Sequence, residues 1–198
     1  RLAALTETVE SRRVLDDIWD DGAVDFCLAQ GDWNFATRTV RIEINTAIEP
    51  DFGFQNAFDK PSDWRRTTTV SADEYLRMPL TNPEFVDEQQ YWFADISPLY
   101  VRYISNDSSY GGDYSVWSES FKDMAEAYLS WKASPRLIQN EKGRDRAEKD
   151  YLRARRLARS NDSLAEGVKF PPQGIWAGSR SGGGGRRRDR GRRNSLIG

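Results

Sequence analysis

The sequence contains no histidine and a single cysteine, Cys27. The lack of histidine excludes catalytic triads with a histidine base, histidine-ligated metals and a histidine pH switch. One cysteine excludes both an intrachain disulfide and a cysteine-based zinc site. Its position between Phe26 and Leu28 predicts a small buried apolar side chain. An enzyme would have to use carboxylates, lysine, tyrosine or serine, and no catalytic residue, metal or cofactor is predicted from the sequence.

Long apolar runs are also missing. No stretch approaches the ~18 residues that a membrane span requires, so no membrane partner is predicted. Residues 1–5 do not have the pattern of a signal peptide. What the sequence does contain is 38% hydrophobic residues in a chain of 198, which suffices for one ordinary core, or one core and a small lobe.

Charge is distributed unevenly along the chain. Residues 180–198 contain seven arginines and one aspartate, a net charge of +6, whereas the whole chain has a net charge of −2. The rest of the chain therefore has a net charge of −8. An acidic body with a basic tail is an asymmetry that usually concerns the partners a protein binds.

An amphipathic helix is predicted over residues 15–30, because apolar residues recur on one face and aspartates occupy the other. Whether residues 1–11 belong to this helix or to a separate short one is left open by the pattern. Gly31 is the predicted stop, in the left-handed conformation that glycine adopts easily. The period of the apolar residues then changes from 3.6 to 2, which predicts a strand over residues 39–44.

Residues 35–104 are predicted to form mostly strands and turns. Three consecutive threonines favour a strand over residues 64–71. Residues 85–86 and 91–95 are predicted to form a hairpin with its turn at residues 87–90. Apart from Arg102, the segment 99–104 is apolar or aromatic on both faces, which is typical of a central strand. Residues 106–113 are a predicted loop.

Helical periodicity returns after residue 113. Ser115 is the predicted N-cap of a second helix, and Ser134 and Pro135 are predicted to end it and to begin a third, which extends to about Ser160. The second helix has an aromatic stripe that could stack on nucleic-acid bases, but its helical spacing favours a place in the core. The stripe comprises Trp117, Phe121, Met124, Tyr128 and Trp131.

The predicted fold is therefore α+β. It is a three-helix bundle with an antiparallel β lobe inserted between helices 1 and 2, plus an extended C-terminal arm. The first helix occupies residues 1–34, the β lobe residues 35–112, helices 2 and 3 residues 113–165, and the arm residues 166–198. The arm is rich in proline and glycine and then in arginine, so we expect it to become ordered on a partner rather than by itself.

Several motifs occur along the chain in a definite order. Gly31-Asp32-Trp33-Asn34-Phe35-Ala36 closes the first helix, Pro61-Ser62-Asp63 leads into a strand, and Leu99-Tyr100-Val101-Arg102-Tyr103-Ile104 follows. The helix over residues 117–131 and Gly174-Ile175-Trp176-Ala177-Gly178-Ser179-Arg180 complete the series. This order resembles the head-to-tail adaptor family (tail tubular protein A, or head-tail connector) of tailed, especially short-tailed, bacteriophages.

The resemblance implies a structural virion protein, not an enzyme, in the neck between head and tail. Twelve copies would form a ring that joins the portal protein to the tail nozzle protein and lines the DNA exit channel. DNA would pass through the lumen without sequence-specific binding. The C-terminal arm would lie along the portal, with Phe170 and Trp176 as its apolar anchors. The predicted portal-docking residues are Phe170, Pro171, Ile175, Trp176, Arg180, Arg186, Arg187, Arg188, Arg190, Arg192 and Arg193.

In a ring, the acidic face of the first helix could meet arginines of the third helix on a neighbouring copy. The same aspartates could instead face only solvent. A divalent-cation site is disfavoured, because these carboxylates lie on a helix exterior without a liganding loop. The predicted inter-subunit residues are Asp16, Asp17, Asp20, Asp21, Arg153 and Arg156.

A second function fits the basic tail. Residues 186–193 could contact phosphates without sequence preference and in a salt-sensitive manner. The chain would then be an Arg/Gly-tailed nucleic-acid-binding protein whose folded part serves for oligomerisation.

Overall fold

The computed structural model describes residues 10–81, 83–138 and 140–165. Within them the chain is α+β, with four α-helices and two small antiparallel sheets. The predicted C-terminal arm, residues 166–198, lies outside the described residues. The elements in chain order are α1 (Glu10–Asp20), α2 (Ala23–Ala29), a short 3₁₀ helix (Asn34–Ala36), β1 (Thr37–Ile42), β2 (Asn56–Asp59), β3 (Trp64–Ser71), β4 (Phe85–Asp87), β5 (Tyr91–Ala94), β6 (Leu99–Ser105), α3 (Glu119–Leu137) and α4 (Glu141–Ala165).

The first predicted helix is in fact two helices, so the prediction of a three-helix bundle was wrong in its helix count. Gly22 separates α1 from α2 with a φ of 90°, a left-handed conformation that glycine adopts at little cost. Gly31 does not have the left-handed conformation predicted for it. A Cβ atom there would instead lie 3.0 Å from the Trp33 ring, so glycine allows that ring to approach the backbone closely.

The two sheets each have three strands. The first has the order β1-β6-β3 and the second the order β2-β5-β4, and every pair is antiparallel. Strand β6 is central in the first sheet, which confirms the prediction for residues 99–104. Strand β3 coincides with the predicted residues 64–71, and β4 and β5 form the predicted hairpin. Strand β1 begins and ends two residues before its predicted bounds.

A β core lies between the sheets. Val70, Leu99 and Val101 of the first sheet pack with Phe58 and Trp92 of the second, and all five are almost completely buried. Because successive residues of a strand point to opposite faces, Tyr103 joins this core whereas Ile104 joins the helical core. Strand β6 therefore belongs to both cores and connects the sheets to the helices.

The helical core contains most of the predicted aromatic stripe, which confirms the interpretation that it packs inside the protein. Phe121 and Met124 are completely buried, and Trp117 and Tyr128 nearly so. Trp131 is half-buried and stacks on Tyr151 of α4, with ring centroids 5.1 Å apart. The buried residues of the helical core are Ala23, Cys27, Leu28, Trp33, Ala36, Ile104, Trp117, Phe121, Met124, Ala125, Tyr128, Tyr151 and Ala158.

The boundary between α3 and α4 differs from the prediction. Ser134 and Pro135 do not begin a helix; both lie inside α3, which ends at Leu137. Proline in a helix leaves the carbonyl four residues earlier without its amide donor. Here the Ser134 hydroxyl donates a hydrogen bond of 2.7 Å to that carbonyl, of Trp131. The N-cap of α3 is Ser118, not Ser115, and its hydroxyl accepts from the Phe121 amide.

Candidate functional site

The acidic face of the first helical segment is exposed to solvent. Asp16, Asp17, Asp20 and Asp21 are all exposed. Two of them form ion pairs within the chain, Asp16 with Arg12 and Asp17 with Arg136 of α3, each at 3.0 Å. Such exposed pairs contribute only ~0–1 kcal/mol each. Asp20 and Asp21 form no ion pair with another residue of the described ranges.

Asp25 has a different role from the four exposed aspartates. Its carboxylate lies 2.8 Å from Arg65 Nε of β3 and accepts a hydrogen bond from the Asn106 side chain. The next arginine of β3, Arg66, pairs in the same way with Asp32 at 2.8 Å. Two adjacent arginines of the first sheet thus hold the end of the α2 region against that sheet.

The basic face of α4 includes Arg153 and Arg156, which are both exposed. Within the part of the chain that the structure describes, neither forms an ion pair, and the structure does not bring either to the four aspartates. Arg155, between them, is engaged: it donates to the Gln30 side chain at 3.1 Å. Helix α3 packs against both α1 and α4. The chain therefore has an acidic and a basic surface on different helices, and their role between subunits stays a prediction.

Asp63 is the centre of a polar cluster. The sequence pattern predicts a turn at this position but not the cluster. Its carboxylate accepts hydrogen bonds from Arg38 of β1 at 2.9 Å and from Ser105 of β6 at 2.5 Å. The Tyr103 hydroxyl donates to it at 3.1 Å. The Asp63 side chain is only 13% exposed.

The hydrogen bonds around Asp63 favour its charged form. Burial by itself raises the pKa of Asp63, but the hydrogen bonds from Ser105, Arg38 and Tyr103 outweigh it, so that the pKa lies below its ordinary value. The pKa of Tyr103 is raised, first by burial and then by the charge of Asp63. A carboxylate held ionised by three donors is a poor general base near neutral pH. The cluster ties β1, β6 and the turn before β3 together.

Lys60 is a second charged group that the chain itself satisfies. Its side chain is only 5% exposed, and its Nζ lies 3.6 Å from the centroid of the Trp64 ring. Its ammonium contacts the Asp87 carboxylate and the Glu88 carbonyl oxygen. Cation–π contact and ion pairing therefore hold the β4–β5 turn against the segment that precedes β3.

Metal-binding side-chain groups and membrane-spanning helices are both absent from the part of the chain that the structure describes. No group of three or more histidine, cysteine, aspartate or glutamate residues there could hold a metal ion. None of the helices in these ranges is both long and apolar enough to cross a membrane. The predicted portal-docking residues, from Phe170 to Arg193, all lie outside the described ranges. The described candidate surfaces are therefore the acidic face of α1 and the basic face of α4. The chain matches no model of a known protein family and no curated protein sequence.

Proposed function

We propose that this chain is a subunit of a ring that joins a viral portal to a tail, with its C-terminal arm as the portal contact. One observation above all supports the ring. The chain carries an acidic surface at Asp20 and Asp21 and a basic surface at Arg153 and Arg156, and none of these four residues forms an ion pair within residues 10–81, 83–138 and 140–165. Two different, complementary surfaces on one subunit favour head-to-tail association, and such contacts form a ring when the rotation between neighbouring subunits closes.

The order of the elements supports the place of this ring in the virion. Six strands lie between α2 and α3 in the sequence, and the Trp33–Ala36 turn joins helix to strand. This order carries the resemblance to head-to-tail adaptors. In the proposed arrangement, the helices form a bundle on the portal side, and the strands form a lobe that faces the tail nozzle. The lumen passes DNA without reading its sequence.

Electron microscopy of the purified chain tests the ring directly. We expect closed rings of uniform diameter, with twelvefold symmetry in class averages. A chain that stays monomeric at every concentration, with and without a portal, would contradict the proposal.

A truncation tests the arm separately. Ending the chain after Lys169 removes the predicted anchors Phe170 and Trp176 together with every arginine of the basic tail. We expect the truncated protein to keep its circular dichroism spectrum and unfolding midpoint but to lose binding to portal rings. Normal portal binding by the truncated protein would show that the arm is not the portal contact.

The second candidate function is nucleic-acid binding, which the net charge of +6 in residues 180–198 favours. Its signature is binding to generic duplex DNA whose affinity falls steeply with salt, because each neutralised phosphate releases a counterion. Replacing the arginines of residues 186–193 by glutamine would abolish that binding. If the truncated and full-length chains bind DNA equally weakly, the second function is excluded.

A further inference from the structure

The outer face of the second sheet carries a pocket, formed by residues 50–54 together with Val86, Glu88 and Phe93. Val86 and Phe93 are cross-strand partners, and they alternate with Trp92 and Ala94, which belong to the β core. The pocket therefore opens away from the first sheet. Its volume is about 340 Å³, room for roughly ten water molecules. Phe52 at its rim is 91% exposed.

The loop after β3, residues 73–80 and here called the knob, is held by hydrogen bonds within itself. Asp73 accepts hydrogen bonds from the backbone amides of Arg77 at 3.2 Å and Met78 at 2.8 Å. Burial by itself raises the pKa of Asp73. The hydrogen bonds from Ser71 and from the knob backbone together outweigh burial, so that the pKa lies below its ordinary value. The base of the knob is closed by a bridge between Ser71 and Pro79.

The knob is held in a conformation that carries a cost. Leu76 has a φ of 55°, a left-handed conformation that is uncommon for a residue with a branched side chain. The resulting turn presents Tyr75 and Met78, which are 68% and 65% exposed. The Arg77 guanidinium lies 5.1 Å from the centroid of the Tyr75 ring. Tyrosine, methionine and arginine are enriched at protein interfaces, and a preorganised loop loses little entropy on binding.

The knob and the pocket belong to different sheets and carry opposite charges. The knob continues β3, an edge strand of the first sheet, whereas the pocket opens on the far side of the second sheet. The charges match as well: Arg77 is exposed on the knob, and Asp51 and Glu88 are exposed at the pocket. Asp51 and Glu88 form no ion pair with another described residue.

We propose that the knob of one copy inserts Tyr75 into the pocket of a second copy, with Arg77 beside Glu88. The occupant of the pocket is thus a second copy of this chain. Because the two surfaces differ, the contact is head-to-tail and repeats from subunit to subunit. The inference rests on the proposed function only in requiring self-association; it does not depend on the portal or the nozzle.

Cross-linking between two engineered cysteines tests the contact. The native Cys27 is buried, and burial raises the pKa of its thiol to about 12, so it stays unreactive towards maleimides. Full-length Tyr75→Cys and Val86→Cys chains are mixed and treated with a short bismaleimide. We expect a covalent dimer of the mixture, and none from either variant alone. The matched control is Leu157→Cys, on α4 and 56% exposed, mixed with Val86→Cys.

Charge reversal provides a second readout, in the concentration at which the chain self-associates. Arg77→Glu and Glu88→Arg are each expected to weaken self-association at least tenfold, and the two together to recover most of it. If the wild-type chain forms rings but gives no Tyr75–Val86 cross-link and both single reversals assemble normally, the knob contact is overturned and the ring stands. If the wild-type chain never self-associates, both the knob contact and the proposed ring are wrong.

Discussion

At the scale of single residues, Asp63 illustrates how one carboxylate stabilises a small β structure. It lies in the turn before β3 and accepts hydrogen bonds from side chains of β1 and β6, which are 25 to 42 residues away in sequence. Hydrogen bonds to a charged group contribute about 1.5–3 kcal/mol, roughly twice those between neutral groups. The residue therefore links three pieces of chain that are distant in sequence.

Asp63→Asn is expected to lower the free energy of unfolding at pH 7 by ~2 kcal/mol, since the amide loses the ionic acceptor that three donors share. The effect should depend on pH. The pKa of Asp63 is lowered in the folded protein, so its stabilisation is complete above the ordinary aspartate pKa, about 3.9, and is lost as the pH falls through the lower folded value. Denaturant titrations from pH 7 down to pH 3 should show the two proteins converging in stability.

Asp20→Asn is the control for this measurement. Asp20 is exposed and forms no ion pair with another described residue, so its replacement should change the free energy of unfolding by less than ~0.5 kcal/mol. A difference between wild type and Asp63→Asn that stays constant from pH 7 to pH 3 would contradict the role assigned to the carboxylate.

At the scale of elements, two local features affect where the helices end: a side-chain hydrogen bond beside Pro135 and the positive φ of Gly22. Pro135 lies in the last turn of α3, where the missing amide would leave the Trp131 carbonyl without a donor. The hydroxyl of the buried residue Ser134 supplies the hydrogen bond instead. A proline that usually marks a helix boundary is thereby accommodated, and α3 extends to Leu137.

A double-mutant cycle tests this compensation. Ser134→Ala should cost about 1 kcal/mol, because it leaves the part-buried Trp131 carbonyl without this donor. In the Pro135→Ala background the cost should be smaller by ~1 kcal/mol, since the new amide at position 135 can donate to Trp131. Ser130→Ala, at an exposed position of the same helix, is the control and should be neutral. Equal costs of Ser134→Ala in both backgrounds would refute the compensation.

Gly22 is the second of these features, because its positive φ separates α1 from α2. Gly22→Ala should destabilise the protein by ~1–2 kcal/mol, the cost of a left-handed residue with a Cβ atom. No atom lies within 4 Å of the added Cβ, so packing does not contribute to this cost. Gly22→Asn should cost less, because asparagine tolerates this conformation better. Thermal unfolding of the two variants distinguishes them; identical midpoints would mean that the backbone conformation is not the cause.

At the scale of the whole molecule, the charged surfaces of α1 and α4 are expected to meet between neighbouring copies. Replacing Asp20 and Asp21 by lysine, or Arg153 and Arg156 by glutamate, turns attraction into repulsion at each contact. Each pair of exposed charges is worth up to ~1 kcal/mol, so we expect each variant to raise the concentration needed for assembly about tenfold. A chain with all four replacements should assemble almost normally.

Mass photometry at low and high salt measures this effect, which should diminish at high salt because exposed charges are screened. All four residues are exposed, so the variants should keep their thermal unfolding midpoints. If the chain with all four replacements assembles no better than the two partial variants, the two surfaces do not meet.

The sequence by itself determined the α+β class, the course of the principal strands and the buried aromatic stripe of α3. Alternation over residues 99–104 and helical spacing from Trp117 to Tyr128 depend only on which side chains avoid water, and that preference is already present in the local pattern. The exposure of Asp16, Asp17, Asp20 and Asp21 follows from the same pattern.

Only the tertiary structure decided the break at Gly22, the continuation of α3 through Pro135, and the cluster around Asp63. It also brought residues 50–54 together with Val86 and Phe93 to form the pocket, and it placed the knob on the other sheet. The Asp63 cluster and the pocket depend on partners that are distant in sequence, and the helix through Pro135 is a conformation that local propensity disfavours. A pattern read along the chain contains the residues of such a site but not the contacts that give them a role.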